Sequence, residues 1–192
     1  MKAGIPGVRG VVFVNLQKRY IVRTASLLVF VRSLKRKLRR EKSEFNVCFV
    51  DDDAIHRLNI AYRGINKATD ILSFPWRDSE TASRAALPAA SRRETPGESA
   101  NFLGEVVISV ESARRNAAIE GHATLTEIRW LILHGILHLL GYDHERDSGQ
   151  MTALELELRE ELKVAGGPRR RGRRKEKTKG RVPRVKGHAA VV

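Results

Sequence analysis

Three histidines fall within eleven residues of this 192-residue chain, at the ends and middle of the run His134-Gly135-Ile136-Leu137-His138-Leu139-Leu140-Gly141-Tyr142-Asp143-His144. The run constrains the fold because it asks for a helix that stops at a set point. His134 and His138 are four residues apart, so on a helix both project from one face, one turn apart. Gly141 can take the left-handed backbone conformation that ends a helix, and the chain can then bring His144 back to the same place. Three neutral imidazoles meeting there make a zinc site with an open fourth position, the arrangement of catalytic rather than structural zinc. Water in that position has its pKa lowered toward neutrality, and the ion also polarises a bound oxygen. A lone histidine is more simply a core or helix-surface residue. Three at this spacing around a helix-ending glycine are read as metal ligands.

The same spacing occurs in metzincin proteases, which carry a glutamate directly after the first histidine as general base. Gly135 stands at that position, so a protease reading lacks its agent for removing a proton from water. Asp143, beside the third histidine, either orients a ligand or serves a turn. Cys48 is the only cysteine. It permits neither an internal disulfide nor a thiolate cluster, and it suits a reducing compartment.

Runs rich in Val, Ile, Leu and Phe at 11–15, 45–50, 70–74 and 104–109 read as strands. Helical spacing covers 20–40, with Leu27, Val31, Leu34 and Leu38 on one face, and 51–62, with Ile55, Leu58 and Tyr62. Ser109 can cap a helix through Glu120. Thr124 with Glu127 forms a T-x-x-E capping box for the histidine helix, which reaches about Leu140. Asp147 with Gln150 offers a start for a last helix over 151–164. The chain is therefore expected to be α/β (α+β), a single domain over residues 1–165 with a small mixed sheet of about four strands. The zinc site lies on a central helix and the turn after it. Residues 77–100 read as a long surface loop, and 166–192 as a basic disordered tail.

The formal net charge is +14, but it is unevenly placed: +11 over residues 1–40, −7 over 41–165 and +10 over 166–192. Basic ends around an acidic body suit a polyanion such as RNA, whose counterions are released on binding. The alternative is charge that serves solubility alone. The longest apolar run near the start, 25–31, is far shorter than the roughly 20 residues that span a bilayer. An acid-free, Arg-rich start also has a transit-peptide composition. Because residues 11–40 read as parts of the fold, a cytoplasmic protein is expected.

The whole run from His134 to His144 resembles the signature H-G-x-L-H-L-x-G-Y-D-H of the YbeY family of bacterial endoribonucleases. Residues 58–63 (Leu-Asn-Ile-Ala-Tyr-Arg), 69–75 (Thr-Asp-Ile-Leu-Ser-Phe-Pro) and 103–109 (Leu-Gly-Glu-Val-Val-Ile-Ser) are similar to further family segments. Ala68 departs from a common Pro, and the tail after Gly166 lies outside the likeness. The resemblance implies a single-strand-specific, metal-dependent endoribonuclease of 16S rRNA 3′-end maturation and ribosome quality control. It also implies His134, His138 and His144 as ligands of one zinc ion, and Arg63 as the catalytic or substrate-contacting arginine. Association with single-stranded rRNA, the small ribosomal subunit and an Era-like GTPase follows from the same likeness.

Read from the residues alone, Arg63 is a cation ending its helix, where the dipole favours it. Phosphodiester cleavage nevertheless wants such a group, because a guanidinium can bind two equatorial oxygens at once. Lys35, Arg36, Lys37, Arg39 and Arg40 are candidate phosphate contacts. The rival reading is a ribosome-assembly factor that binds RNA and carries structural zinc without cutting.

Overall fold

The computed structural model describes residues 10–76, 101–144 and 146–163. The expected surface loop over 77–100 and the expected basic tail from 166 onward lie outside the described residues. Four strands, β1 (Val11–Asn15), β2 (Glu44–Val50), β3 (Ile71–Pro75) and β4 (Phe102–Ser109), make one sheet in the order β1-β2-β4-β3. Five helices accompany them among the described residues: α1 (Thr24–Lys37), α2 (Asp52–Arg63), α3 (Val110–Glu120), α4 (Thr124–Leu139) and α5 (Gln150–Glu161). β1, β2 and β4 run parallel, and β3 lies antiparallel on the β4 edge. The α+β fold with a small mixed sheet is thus as the sequence suggests.

Strand side chains alternate between faces, and here both faces are covered. On one, Phe13, Phe45, Val47, Val106 and Ile108 pack against Leu27 and Leu34 of α1 and against α4. On the other, Ile55 of α2 seals Val50, Leu72 and Val107. Asp51 caps α2 by accepting from the Ala54 amide at 2.8 Å, and Ser109 caps α3 by accepting from Ser112 at 3.1 Å.

Helix α4 is the central element. Ile132, Leu133 and Leu137 have no exposed surface, and a glycine between them lets the helix press onto the sheet. A Cβ at Gly135 would sit 2.7 Å from Val106 Cγ1 and 3.0 Å from Ile71 Cδ1. The side chain after His134 therefore has no room, which leaves no place for a protease's glutamate. Gly135→Ala is expected to lower stability measurably in urea unfolding. Overpacking costs about 1–3 kcal/mol, and the better helix propensity of alanine returns only about 1. A wild-type or higher midpoint would mean that α4 can lift from β4 at no cost.

Three local expectations are corrected. Helix α1 starts at Thr24 rather than Tyr20, because the buried Gln17 side chain accepts from the Arg19 and Tyr20 amides, both at 2.9 Å, and holds them in a turn. The Thr124–Glu127 capping box does not form. Ala123 is the N-cap with no side-chain bond, and Glu127 turns inward to lie 3.1 Å from His122 Nε2. Burial pushes the Glu127 carboxyl up, against the pull of His122. Lys35 does not offer a phosphate contact either, since it is 5% exposed and burial pushes its ammonium pKa down.

Candidate metal centre

His134 and His138 leave α4 side by side, with ring centres 4.6 Å apart and Nε2 atoms at 3.0 Å. The helix then ends as the sequence suggests. Gly141 has φ +93°, its amide donates to the His138 carbonyl at 2.9 Å, and the Tyr142 amide donates to the Leu137 carbonyl at 3.1 Å. This pair of bonds is the Schellman closure. It turns the chain so that the His144 ring centre lies 5.5 Å from that of His134 and 5.4 Å from that of His138. One nitrogen from each of the three rings falls within 4.8 Å of the others.

The outer ring nitrogens decide which atoms face inward. His138 Nδ1 is 2.9 Å from the Tyr142 carbonyl oxygen, which can only accept, so Nδ1 carries the proton and Nε2 the lone pair. His134 Nδ1 lies 3.2 Å from Glu155 Oε2, which accepts from it and leaves Nε2 turned toward His138. Burial, helped by the neighbouring His134, pushes the His138 imidazole down to about 4, so the ring is neutral at neutral pH. The His138 lone pair thus faces His134 Nε2, with a third imidazole beside them. That donor set fits a cation: zinc bonds of about 2.0–2.1 Å in tetrahedral directions hold two nitrogens roughly 3.3 Å apart. Imidazoles suit zinc and other first-row divalent ions.

Glu155 is a site residue that the sequence reading missed. Both oxygens of Asp147 accept amide protons at 2.8 Å, from Gly149 and Met151, and Met151 is buried. Together they fix the start of α5 and place Glu155 one turn further on, against His134. Arg159 holds the other Glu155 oxygen in an ion pair, and its guanidinium lies 4.3 Å over the Trp130 ring. Burial alone would raise the Glu155 carboxyl, but the His134 hydrogen bond and Arg159 outweigh it and hold it below the ordinary carboxylate range.

Asp143 takes the turn role. Its carbonyl accepts from the Arg146 and Asp147 amides, and its carboxylate lies 3.2 Å from Arg146 Nε.

A cleft of about 560 Å³ opens beside His138, lined in part by Ser73 and Pro75 of β3, Arg40 just past α1, and Tyr142. Arg63 is not among the described residues that line it. It is the last residue of α2, exposed, with Gly64 in the left-handed region behind it. Helix α2 packs on the sheet face opposite α4. Its end reaches the edge strand all the same, because the Tyr62 ring lies 5.0 Å from that of Phe74, between the cleft residues Ser73 and Pro75.

Comparison with known proteins agrees with this arrangement. The family described as Endoribonuclease YbeY matches residues 15–163. The protein named Endoribonuclease YbeY from Pelotomaculum thermopropionicum is 39% identical over 135 residues, 68% of this chain and 81% of its own. That from Desulforamulus reducens is 38% identical over 156 residues, 78% of this chain and 95% of its own. The solution structure of TM1509 from Thermotoga maritima shares the fold, with a TM-score of 0.50 at 23% identity over 79% of this chain and 88% of that one. With the family's match spanning all of α1 to α5 and the three histidines brought together at the end of α4, the chain belongs to the YbeY endoribonuclease family.

Proposed function

We propose that this protein is a zinc-dependent endoribonuclease that cuts single-stranded RNA, with 16S rRNA 3′-end maturation and ribosome quality control as its setting. The observation that carries this reading is the three-imidazole group. Among the described residues no fourth donor joins it, which matches a metal with an open position rather than the closed four-ligand sites of structural zinc. His134, His138 and His144 would hold the ion, which when bound supplies Lewis acidity to the phosphodiester. Arg63 forms no hydrogen bond or ion pair with a described residue, so its guanidinium is free to take the charge that builds on the equatorial oxygens.

Residues 1–165 would be the cutting domain, and the basic tail would add affinity for RNA without choosing the cleavage site. Among the described residues no helix is long and apolar enough to cross a membrane. We place the protein in the cytoplasm, with the small ribosomal subunit and an Era-like GTPase as partners, on the family resemblance.

The test is cleavage of single-stranded rRNA by purified protein, with and without chelator. Arg63→Ala is assayed in parallel. Chelator should stop cleavage and added zinc restore it. Arg63→Ala should lower turnover by about 10²–10³, the loss typical of one preorganised transition-state donor, while zinc and RNA still bind. Cleavage indifferent to both would overturn the assignment. If Arg63→Ala is as active as the parent while zinc removal only lowers the melting temperature, the zinc is structural.

A further inference from the structure

Ser73 is 1% exposed, and its hydroxyl has no hydrogen-bond partner among the described residues. Buried polar groups are normally paired, and leaving one unpaired costs stability. This one belongs to a residue that lines the cleft beside His138, and rotation about a single bond re-aims a serine hydroxyl. The carboxylates of the cleft are already engaged: both oxygens of Asp147 by the Gly149 and Met151 amides, and Asp143 by Arg146. Arg40, exposed at the rim, has no side-chain partner among the described residues. Among the described residues lining the cleft, the Ser73 hydroxyl is therefore a buried donor without an acceptor and Arg40 a cation without one, beside the exposed side chains of Tyr142 and Gln150. The size of the cleft is that of ligand pockets rather than of a single water.

We propose that this cleft is a phosphate subsite for the RNA strand, in which the Ser73 hydroxyl and the Arg40 guanidinium donate to the oxygens of a backbone phosphate neighbouring the one that is cut. The subsite rests on the ribonuclease reading above. Ser73 and Arg40 are positioning residues in it. Of the buried side-chain atoms without a partner among the described residues, only the Ser73 hydroxyl belongs to a residue that lines the cleft, where a ligand oxygen can pair it.

The experiment uses the full-length zinc-loaded protein carrying Arg63→Ala, so that the RNA survives, and follows a fluorescent single-stranded RNA by anisotropy over a salt series. Ser73→Ala and Arg40→Gln are each added to that parent. Either should weaken RNA binding roughly tenfold, as for loss of a hydrogen bond to a charged group. Only Arg40→Gln should also flatten the dependence of log affinity on log salt, by about one counterion. Ser73→Ala should unfold at the same temperature as the parent or higher, which a structural hydroxyl would not allow.

A Ser73→Ala protein that binds RNA as the parent does, or that melts earlier, overturns the subsite. Inorganic phosphate that displaces the RNA at equal phosphate concentration makes the cleft a small-anion site and overturns the RNA assignment. A parent that binds no RNA at all overturns the ribonuclease reading itself, an outcome separate from equal binding by parent and variants.

Discussion

Replacing His138 with alanine is expected to abolish tight zinc binding and RNA cleavage together while leaving a folded protein. His138 is the most buried of the three histidines, at 4% exposure, and the bond from its Nδ1 to the Tyr142 carbonyl fixes the ring before any ion arrives. Removing it deletes one of three donors, so the loss of affinity should exceed the roughly 10–100-fold that loss of an outer partner costs. The metal-free fold should suffer less than a core truncation does, because the change also removes a nitrogen facing His134 Nε2 at 3.0 Å. Thermal unfolding with and without zinc checks this. A ligand at 100 times its dissociation constant stabilises by about 2.7 kcal/mol, so the parent should show a clear zinc-dependent rise in melting temperature and His138→Ala none. An undiminished rise in the variant would place the ion elsewhere.

The second large effect is expected at Glu155, which touches no metal in this scheme. Its carboxylate holds the His134 ring by the outer nitrogen, and Arg159 and Trp130 brace it from behind. Glu155→Ala leaves His134 free to rotate and leaves the Arg159 guanidinium with the aromatic face alone. Zinc affinity, read by competition with a chromophoric chelator, should fall roughly 10–100-fold. Glu155→Gln keeps an acceptor oxygen at the same reach and should recover part of the loss. Unchanged zinc affinity in Glu155→Ala would mean that α4 alone orients His134.

The sequence was most legible where a single short-range rule decides the outcome. Short runs rich in Val, Ile, Leu and Phe marked the strands, and β1 spans Val11–Asn15 as read from that composition. The spacing of His134, His138 and Gly141 specified a helix face and its end, because both depend only on local backbone geometry. It was least legible where a distant partner decides. Glu127 looked like a helix cap until His122 drew it inward. Glu155 sits four residues from Arg159 in a helix rich in acids, and from sequence it is indistinguishable from a solvated i,i+4 pair. Asp143 adjoins a proposed ligand in sequence, yet the carboxylate that reaches the histidines comes from another helix. Among the basic residues at the end of α1, the fold buries Lys35, ties Lys37 to Glu161 at 2.9 Å and puts Arg40 at the cleft. Five similar letters thus have different uses.

The edge strand β3 has a consequence for how the two halves of the proposed site are coupled. Its odd-numbered residues, Ile71 and Ser73, look toward α4, while Leu72 packs against α2 and Phe74 meets Tyr62 at the end of α2. The reading frame of this one strand therefore assigns each side chain to the cleft or to the arginine's helix. A slip of one residue would exchange the two sets. Gly104 on β4 suits the observed frame: φ is +134°, and a Cβ there would stand 2.1 Å from the Phe74 carbonyl oxygen. A residue with no part in the proposed chemistry thereby permits the close approach that this frame of the strand needs, and with it the placement of the groups that would meet the RNA.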